Sequence, residues 1–150
     1  MKHIKYGNIF SVKSGIIVHG CNSKGVMGSG MAKQVRELYP KAYEAYKAHE
    51  GHYYLGQLIL ASVTPTLIIC NAITQADYGR DPSAVYVSYN AVQRAFRQLA
   101  AHAAKFNEHV HYPQIGAGLG NGDWNKLDTI IDEEFEKHPE VERTLWIYRS

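Results

Sequence analysis

The stretch Ile16-Ile17-Val18-His19-Gly20-Cys21-Asn22-Ser23-Lys24-Gly25-Val26-Met27-Gly28-Ser29-Gly30 decides the fold. Its compact apolar start, Ile16 to Val18, is of the buried-strand type. The Gly25–Gly30 loop follows, and Met31, Val35 and Leu38 then recur at helical spacing, which predicts a helix over 30–38. A second glycine loop, Gly116-Ala117-Gly118-Leu119-Gly120-Asn121-Gly122, follows another strand-like run at 109–113. Glycine-rich turns at such junctions let backbone N–H groups close on an anion, with the positive end of a helix behind them. Two of them in one small chain suggest a ligand gripped from two sides, such as a pyrophosphate.

Working outward, residues 3–6 read as a first strand, and Pro40 opens a second helical stretch from Lys41 to Glu50, with Gly51 at its C-terminal end. Residues 57–63 and 66–70 read as two strands around Thr64-Pro65. Asp77 to Pro82 is a loop by composition, and whether its acids Asp77 and Asp81 approach a site is not decided by the sequence. Ala84 to Phe106 contains a long helix whose apolar face is Val92, Ala95, Phe96 and Leu99. Asp123 suits the N-cap of a helix from Trp124 to Lys137, and Thr144 to Tyr148 is the last strand. Strands alternating with helices imply an α/β fold with a largely parallel sheet. Ligands of such sheets collect beyond the C-terminal strand ends.

With 150 residues, 45% hydrophobic and 20% charged, the chain reads as one ordinary globular domain spanning 1–150. A formal net charge of +2 without a basic stripe excludes a nucleic-acid-coating role. The two cysteines, Cys21 and Cys70, have no metal-ligand spacing. They are expected to be reduced thiols in a cytoplasmic protein with neither metal nor cofactor. The first residues lack a signal-peptide apolar region, and no apolar run approaches the roughly 20 residues that span a membrane.

Neither glycine loop fits the common templates. G-x-G-x-x-G fails because the sixth positions are Lys33 and Asn121, and G-x-x-x-x-G-K-[S/T] is absent. A dinucleotide-dependent dehydrogenase and a P-loop NTPase are therefore disfavoured.

The motifs taken in order resemble the macrodomain family. Tyr6-Gly7-Asn8-Ile9 is similar to its opening Gly-Asp-Ile, and Ile17-Val18-His19-Gly20-Cys21-Asn22 with Gly28-Ser29-Gly30-Met31-Ala32 resembles its buried strand, asparagine and first loop. Pro113-Gln114-Ile115-Gly116-Ala117-Gly118-Leu119-Gly120 resembles its second phosphate loop, and Leu145-Trp146-Ile147-Tyr148 its last strand. The likeness covers nearly the whole chain. Val18 to Asn22 and Arg36 to Tyr43 make it look most like the ADP-ribose 1″-phosphate phosphatase branch, and similar also to the terminal-ADP-ribose glycohydrolase branch.

The resemblance implies a three-layer α/β/α sandwich with a mixed, mostly parallel sheet and a cleft for ADP-ribose. It implies that Asn8 accepts from the adenine amino group where the family has an aspartate, without the assistance of charge. Ile9 donates its backbone N–H to the ring, and Tyr148 lies beside adenine. Asn22 holds the distal ribose, Met27, Gly28, Ser29 and Gly30 run along it, and Ile115, Gly116, Ala117, Gly118, Leu119, Gly120 and Asn121 wrap the pyrophosphate. Cys21, Thr74 and Gln75 complete the expected lining. His19 and Asn22 are the expected catalytic pair, with His19 as general acid or base. From the residues alone a sheet-end histidine held by hydrogen bonds is the other reading of His19.

Where the glycohydrolase branch carries a lysine, this chain has Gln75, which cannot form a Schiff base. Where that branch carries an aspartate, it has Gly120. The expected activity is hydrolysis of ADP-ribose 1″-phosphate to ADP-ribose and phosphate. The rivals are an ADP-ribosyl hydrolase acting on modified protein or nucleic acid, and a reader that binds ADP-ribose without chemistry.

Overall fold

The computed structural model describes residues 1–149. The strands are β1 (Lys2–Gly7), β2 (Gly15–Asn22), β3 (Leu58–Ser62), β4 (Leu67–Gln75), β5 (Val110–Tyr112) and β6 (Arg143–Tyr148). The helices are α1 (Gly30–Leu38), α2 (Pro40–Lys47), α3 (Tyr89–Phe106) and α4 (Trp124–Glu136), and a short 3-10 turn covers Ile9–Ser11. They form one six-stranded sheet in the order β1-β6-β5-β2-β4-β3. Every pairing is parallel except that of β3 with β4, which are joined as a hairpin through Thr64-Pro65.

Alternation on the central strands sends side chains into two separate cores. Ile16 and Val18 of β2 and Cys70 and Ala72 of β4 pack under Phe96 and Leu99 of α3 and Leu127 and Ile131 of α4. Ile17 and Ile69 point the other way, to Val35 of α1 and Ala42 of α2. The sheet is thus covered on both faces, which is why β2 reads as a continuous apolar run.

The elements agree with the sequence reading, and three boundaries move. β4 runs on to Gln75 because Asn71, which breaks the apolar run, is fully partnered in the interior: its amide donates to Ala42 O (3.1 Å) and Ile59 O (3.2 Å). Helix α2 stops at Lys47, and tight turns (His49 N to Tyr46 O, 3.1 Å; Glu50 N to Lys47 O, 3.0 Å) carry the chain on to Gly51. Helix α3 begins only at Tyr89, with Ser88 capping Ala91 N at 3.1 Å. The residues before it are drawn out by the second glycine loop, whose Gly120 carbonyl accepts from Tyr86 N (2.9 Å) and Val87 N (3.1 Å). Asp123 caps α4 by accepting from Asn125 N at 3.0 Å.

Candidate ligand cleft

The two glycine loops leave the C-terminal ends of adjacent strands, β2 and β5, and meet. Gly30 has φ +61°, and a Cβ there would stand 3.2 Å from Leu119 Cδ1 of the other loop. Gly116 has φ +80°, and a Cβ there would strike Val87 Cγ2 at 2.6 Å. Only glycine fits either position without displacement. Between the loops lies a cleft of about 620 Å³, bounded by Gly20 to Asn22, Gly28 to Ala32, Thr74 and Gln75, Tyr78 to Arg80, and Pro113 to Gly120 without Ala117. A smaller lobe of about 320 Å³ adjoins it through the shared wall residues Gly30, Met31 and Pro113. That lobe is lined further by Asn8, Ile9, Phe10, Trp146 and Tyr148.

The cleft is built to receive negative charge. Helices α3 and α4 have their first-turn donors capped by Ser88 and Asp123, whereas Ser29 makes no side-chain cap on α1. Gly30, Met31 and Ala32, the first turn of α1, line the cleft. The uncommitted N–H groups and the positive helix end therefore face the cavity. Among the described residues, no carboxylate or imidazole lines either lobe.

Most residues expected at the site are there. Cys21, Asn22, Gly28, Ser29, Gly30, Thr74, Gln75, Ile115, Gly116, Gly118, Leu119 and Gly120 line the larger lobe, and Asn8, Ile9 and Tyr148 the smaller. The Thr74 hydroxyl is buried over Gly20 and has no hydrogen-bond partner among the described residues. Burial pushes the Cys21 thiol well up, so it stays protonated.

Four expectations need correction. His19 is not a cleft residue: it is 0% exposed and points to the α2 side of the sheet, where its Nε2 lies 2.6 Å from Asn71 Oδ1. Burial lowers its pKa from 6.5 to about 4, so the ring is neutral at pH 7. Met27 is also sealed away, in a cluster with Cys21, Tyr46, Ile59 and Ile73 that plugs its loop onto the core. Ala117 packs against the α3–α4 core, and Asn121 donates outward from the cleft, to Asp81 O (3.0 Å) and Ala84 O (2.8 Å).

Asn22 does line the cleft, but its amide is already engaged. Nδ2 donates to Val26 O (2.8 Å), while Oδ1 accepts from Lys24 N (2.9 Å) and from the buried Tyr46 hydroxyl (3.0 Å). Its observed work is to shape the 22–26 turn. Asn8 similarly spends Oδ1 on Phe10 N (2.9 Å), leaving that oxygen's second lone pair.

Among the lining residues that the sequence did not single out are Tyr78, Gly79 and Arg80, after β4. Tyr78, Gly79 and Arg80 form the wall opposite the first loop, while Asp77 and Asp81 turn away from the cleft. Asp77 caps Tyr78 N (2.8 Å), and Asp81 accepts from Ser83 N (2.9 Å) and Ser83 Oγ (2.7 Å). The available signal was positional: a loop at the C-terminal end of a central parallel strand.

No family model matches the chain. It is 30% identical over 128 residues to an uncharacterized 17.5 kDa protein of Enterobacteria phage T4, covering 77% of each chain. It is 24% identical to an ADP-ribose 1″-phosphate phosphatase of Lodderomyces elongisporus, over 81% of each chain. It is 28% identical to a DNA ADP-ribosyl glycohydrolase of Thermus aquaticus, matching 95% of this chain and 39% of that protein. Among solved structures, the macrodomain of Thermus aquaticus DarG superposes with a TM-score of 0.80 at 25% identity, over 100% of this chain and 99% of that one. Thermosipho africanus DarTG in complex with ADP-ribose gives 0.79 at 16% identity, over 97% of this chain and 41% of that one, a likeness of fold. The chain has the macrodomain fold.

Among the described residues no helix is long and apolar enough to cross a membrane, and no group of three or more His, Cys, Asp or Glu side chains is arranged to hold a metal ion.

Proposed function

We propose that the cleft binds ADP-ribose and that the protein hydrolyses ADP-ribose 1″-phosphate to ADP-ribose and phosphate. Adenine takes the smaller lobe, beside Tyr148 and with Asn8 and the Ile9 N–H at its edge. The diphosphate lies between the glycine loops, and the distal ribose reaches the β2 and β4 ends beside Gly20 and Thr74. The observation that carries this reading is the convergence of both glycine loops and the uncapped start of α1 on one cavity.

Phosphomonoester transfer asks for position and charge stabilisation more than for covalent help from the protein. Backbone N–H groups supply both. Water attacks phosphorus, the bond from phosphorus to the anomeric oxygen breaks, and that oxygen takes up a proton from solvent as phosphate leaves. Lysine-dependent removal of ADP-ribose is disfavoured by Gln75 and Gly120 at the two positions where the glycohydrolase branch needs lysine and aspartate. The free, buried thiols of Cys21 and Cys70 accord with a cytoplasmic setting.

A second reading, a reader that binds ADP-ribose without chemistry, is favoured by the lack of a lining carboxylate or imidazole among the described residues. Calorimetric titration with ADP-ribose tests binding, and failure to bind removes both readings. Phosphate release from ADP-ribose 1″-phosphate selects the phosphatase. Binding without phosphate release, and without release of ADP-ribose from a modified protein or DNA, selects the reader.

A further inference from the structure

Among the described residues, Arg80 is the one charged side chain that lines the cleft. It is exposed, and it forms no ion pair with any described residue. The neighbouring acids make no ion pair with it: Asp77 accepts from Tyr78 N and Asp81 from Ser83. A guanidinium without an ion-pair partner, at a cleft otherwise lined by uncharged residues, is a positive charge available to an anion.

The loop that carries it is tied down. Asn121, at the end of the second glycine loop, donates to Asp81 O and Ala84 O (3.0 and 2.8 Å). The Tyr86 hydroxyl accepts from Asp81 N (3.1 Å) and packs so closely on Gly79 that a Cβ there would lie 2.4 Å away. Gln75 Nε2 donates to Asp77 O at 2.7 Å. Arg80 is therefore carried on a segment referenced directly to the diphosphate loop.

Sheet order gives its place along the ligand. The smaller lobe stands over β1 and β6, the two glycine loops leave β5 and β2, and the Arg80 loop leaves β4, next in line. Arg80 does not touch the smaller lobe. By strand order it belongs to the side of the cleft away from the smaller lobe.

We propose that Arg80 is the specificity-determining residue for a second anionic group, a phosphate monoester carried on the distal ribose. This rests on the reading that ADP-ribose occupies the cleft. Arg80 contributes little to plain ADP-ribose and favours the form that bears the extra phosphate.

The test is calorimetric titration of the wild type, Arg80→Gln and Arg80→Lys with two probes. One is ADP-ribose, and the other is ADP-ribose bearing a non-hydrolysable phosphonate on the distal anomeric carbon. The expected result is a preference of about tenfold or more for the phosphonate in the wild type, the scale of a charge-assisted contact. Arg80→Gln removes that preference and leaves ADP-ribose affinity within about twofold, and Arg80→Lys restores part of it. Equal weakening of both probes in Arg80→Gln overturns the proposal by showing that Arg80 reads the diphosphate. A wild type that binds both probes equally overturns it while leaving ADP-ribose binding intact. A wild type that binds neither overturns the ADP-ribose reading as well.

Discussion

His19 and Gly20 are consecutive residues of β2, and they belong to different machines. Gly20 faces the cleft, where the missing side chain leaves space beneath Thr74 and Ile115. His19 faces the opposite way and closes a buried polar layer with Asn71, its register partner on β4, and Cys21. The strand's two-residue period separates ligand chemistry from structural polarity within one peptide unit. A histidine beside a glycine loop is therefore not evidence of catalysis until its face is known.

The comparison makes opposite demands on the two positions. His19→Ala should cost about 2–4 kcal/mol of folding stability in urea denaturation, because it opens a buried cavity and leaves Asn71 Oδ1 only the long contact from Cys21 Sγ (3.9 Å). Phosphate release and ADP-ribose affinity of the folded fraction should stay within about twofold. A folded His19→Ala protein that binds ADP-ribose but has lost turnover would restore a catalytic role for the ring.

The second expectation concerns pH. His19 binds its proton with a pKa of about 4 in the folded chain against 6.5 ordinarily, so the unfolded chain holds more protons between those values. The stabilisation is fully present above pH 6.5 and is lost as pH falls towards 4. It amounts to about 3 kcal/mol for this group. His111, with its pKa lowered to about 4 mainly by burial and then by His109, pushes in the same direction. Urea midpoints measured from pH 7 to pH 4 should fall, and His19→Gln should flatten the profile. A wild-type profile that is flat over that range contradicts the buried neutral ring.

On the other face, Gly20→Val should weaken ADP-ribose at least tenfold in calorimetry. Even its Cβ would stand 2.7 Å from Thr74 Oγ1 and 3.3 Å from Ile115 Cγ1. Unchanged affinity would mean that this part of the cleft is not used. A smaller effect is expected from Tyr46→Phe, which removes the hydroxyl held by Asn22 O (2.6 Å) and Asn22 Oδ1 (3.0 Å). The cost should be about 1 kcal/mol in stability, with a few-fold loss of affinity as the 22–26 turn loosens. The smallest is Tyr148→Ala: this 73% exposed ring at the smaller lobe should contribute about fivefold in ADP-ribose affinity, and essentially nothing to folding.

The architecture was legible because its signals are local. Pro40 starts a helix, Asp123 caps another, and the glycine loops stand at strand ends, so six strands and four helices follow from pattern alone. The extent of β4 was not legible, because Asn71 belongs in a core only once His19 and two distant carbonyls satisfy it. At the site, the glycine positions could be read from their spacing. Which side chains reach the ligand could not, because it depends on strand face, as for His19, or on whether a polar group is already engaged, as for Asn22 and Asn121. Arg80 escaped notice because its loop was read for its acids, Asp77 and Asp81, and not for its one basic residue. Its importance comes from the empty charge balance of a cleft assembled from three strand ends.

The central claim is that amides of the two glycine loops close on one diphosphate. An amide-resolved NMR titration with ADP-ribose tests it most directly. Residues 28–31 and 116–120 should shift together and fit a single dissociation constant. Shifts confined to one loop, or two loops that titrate with different constants, would contradict it.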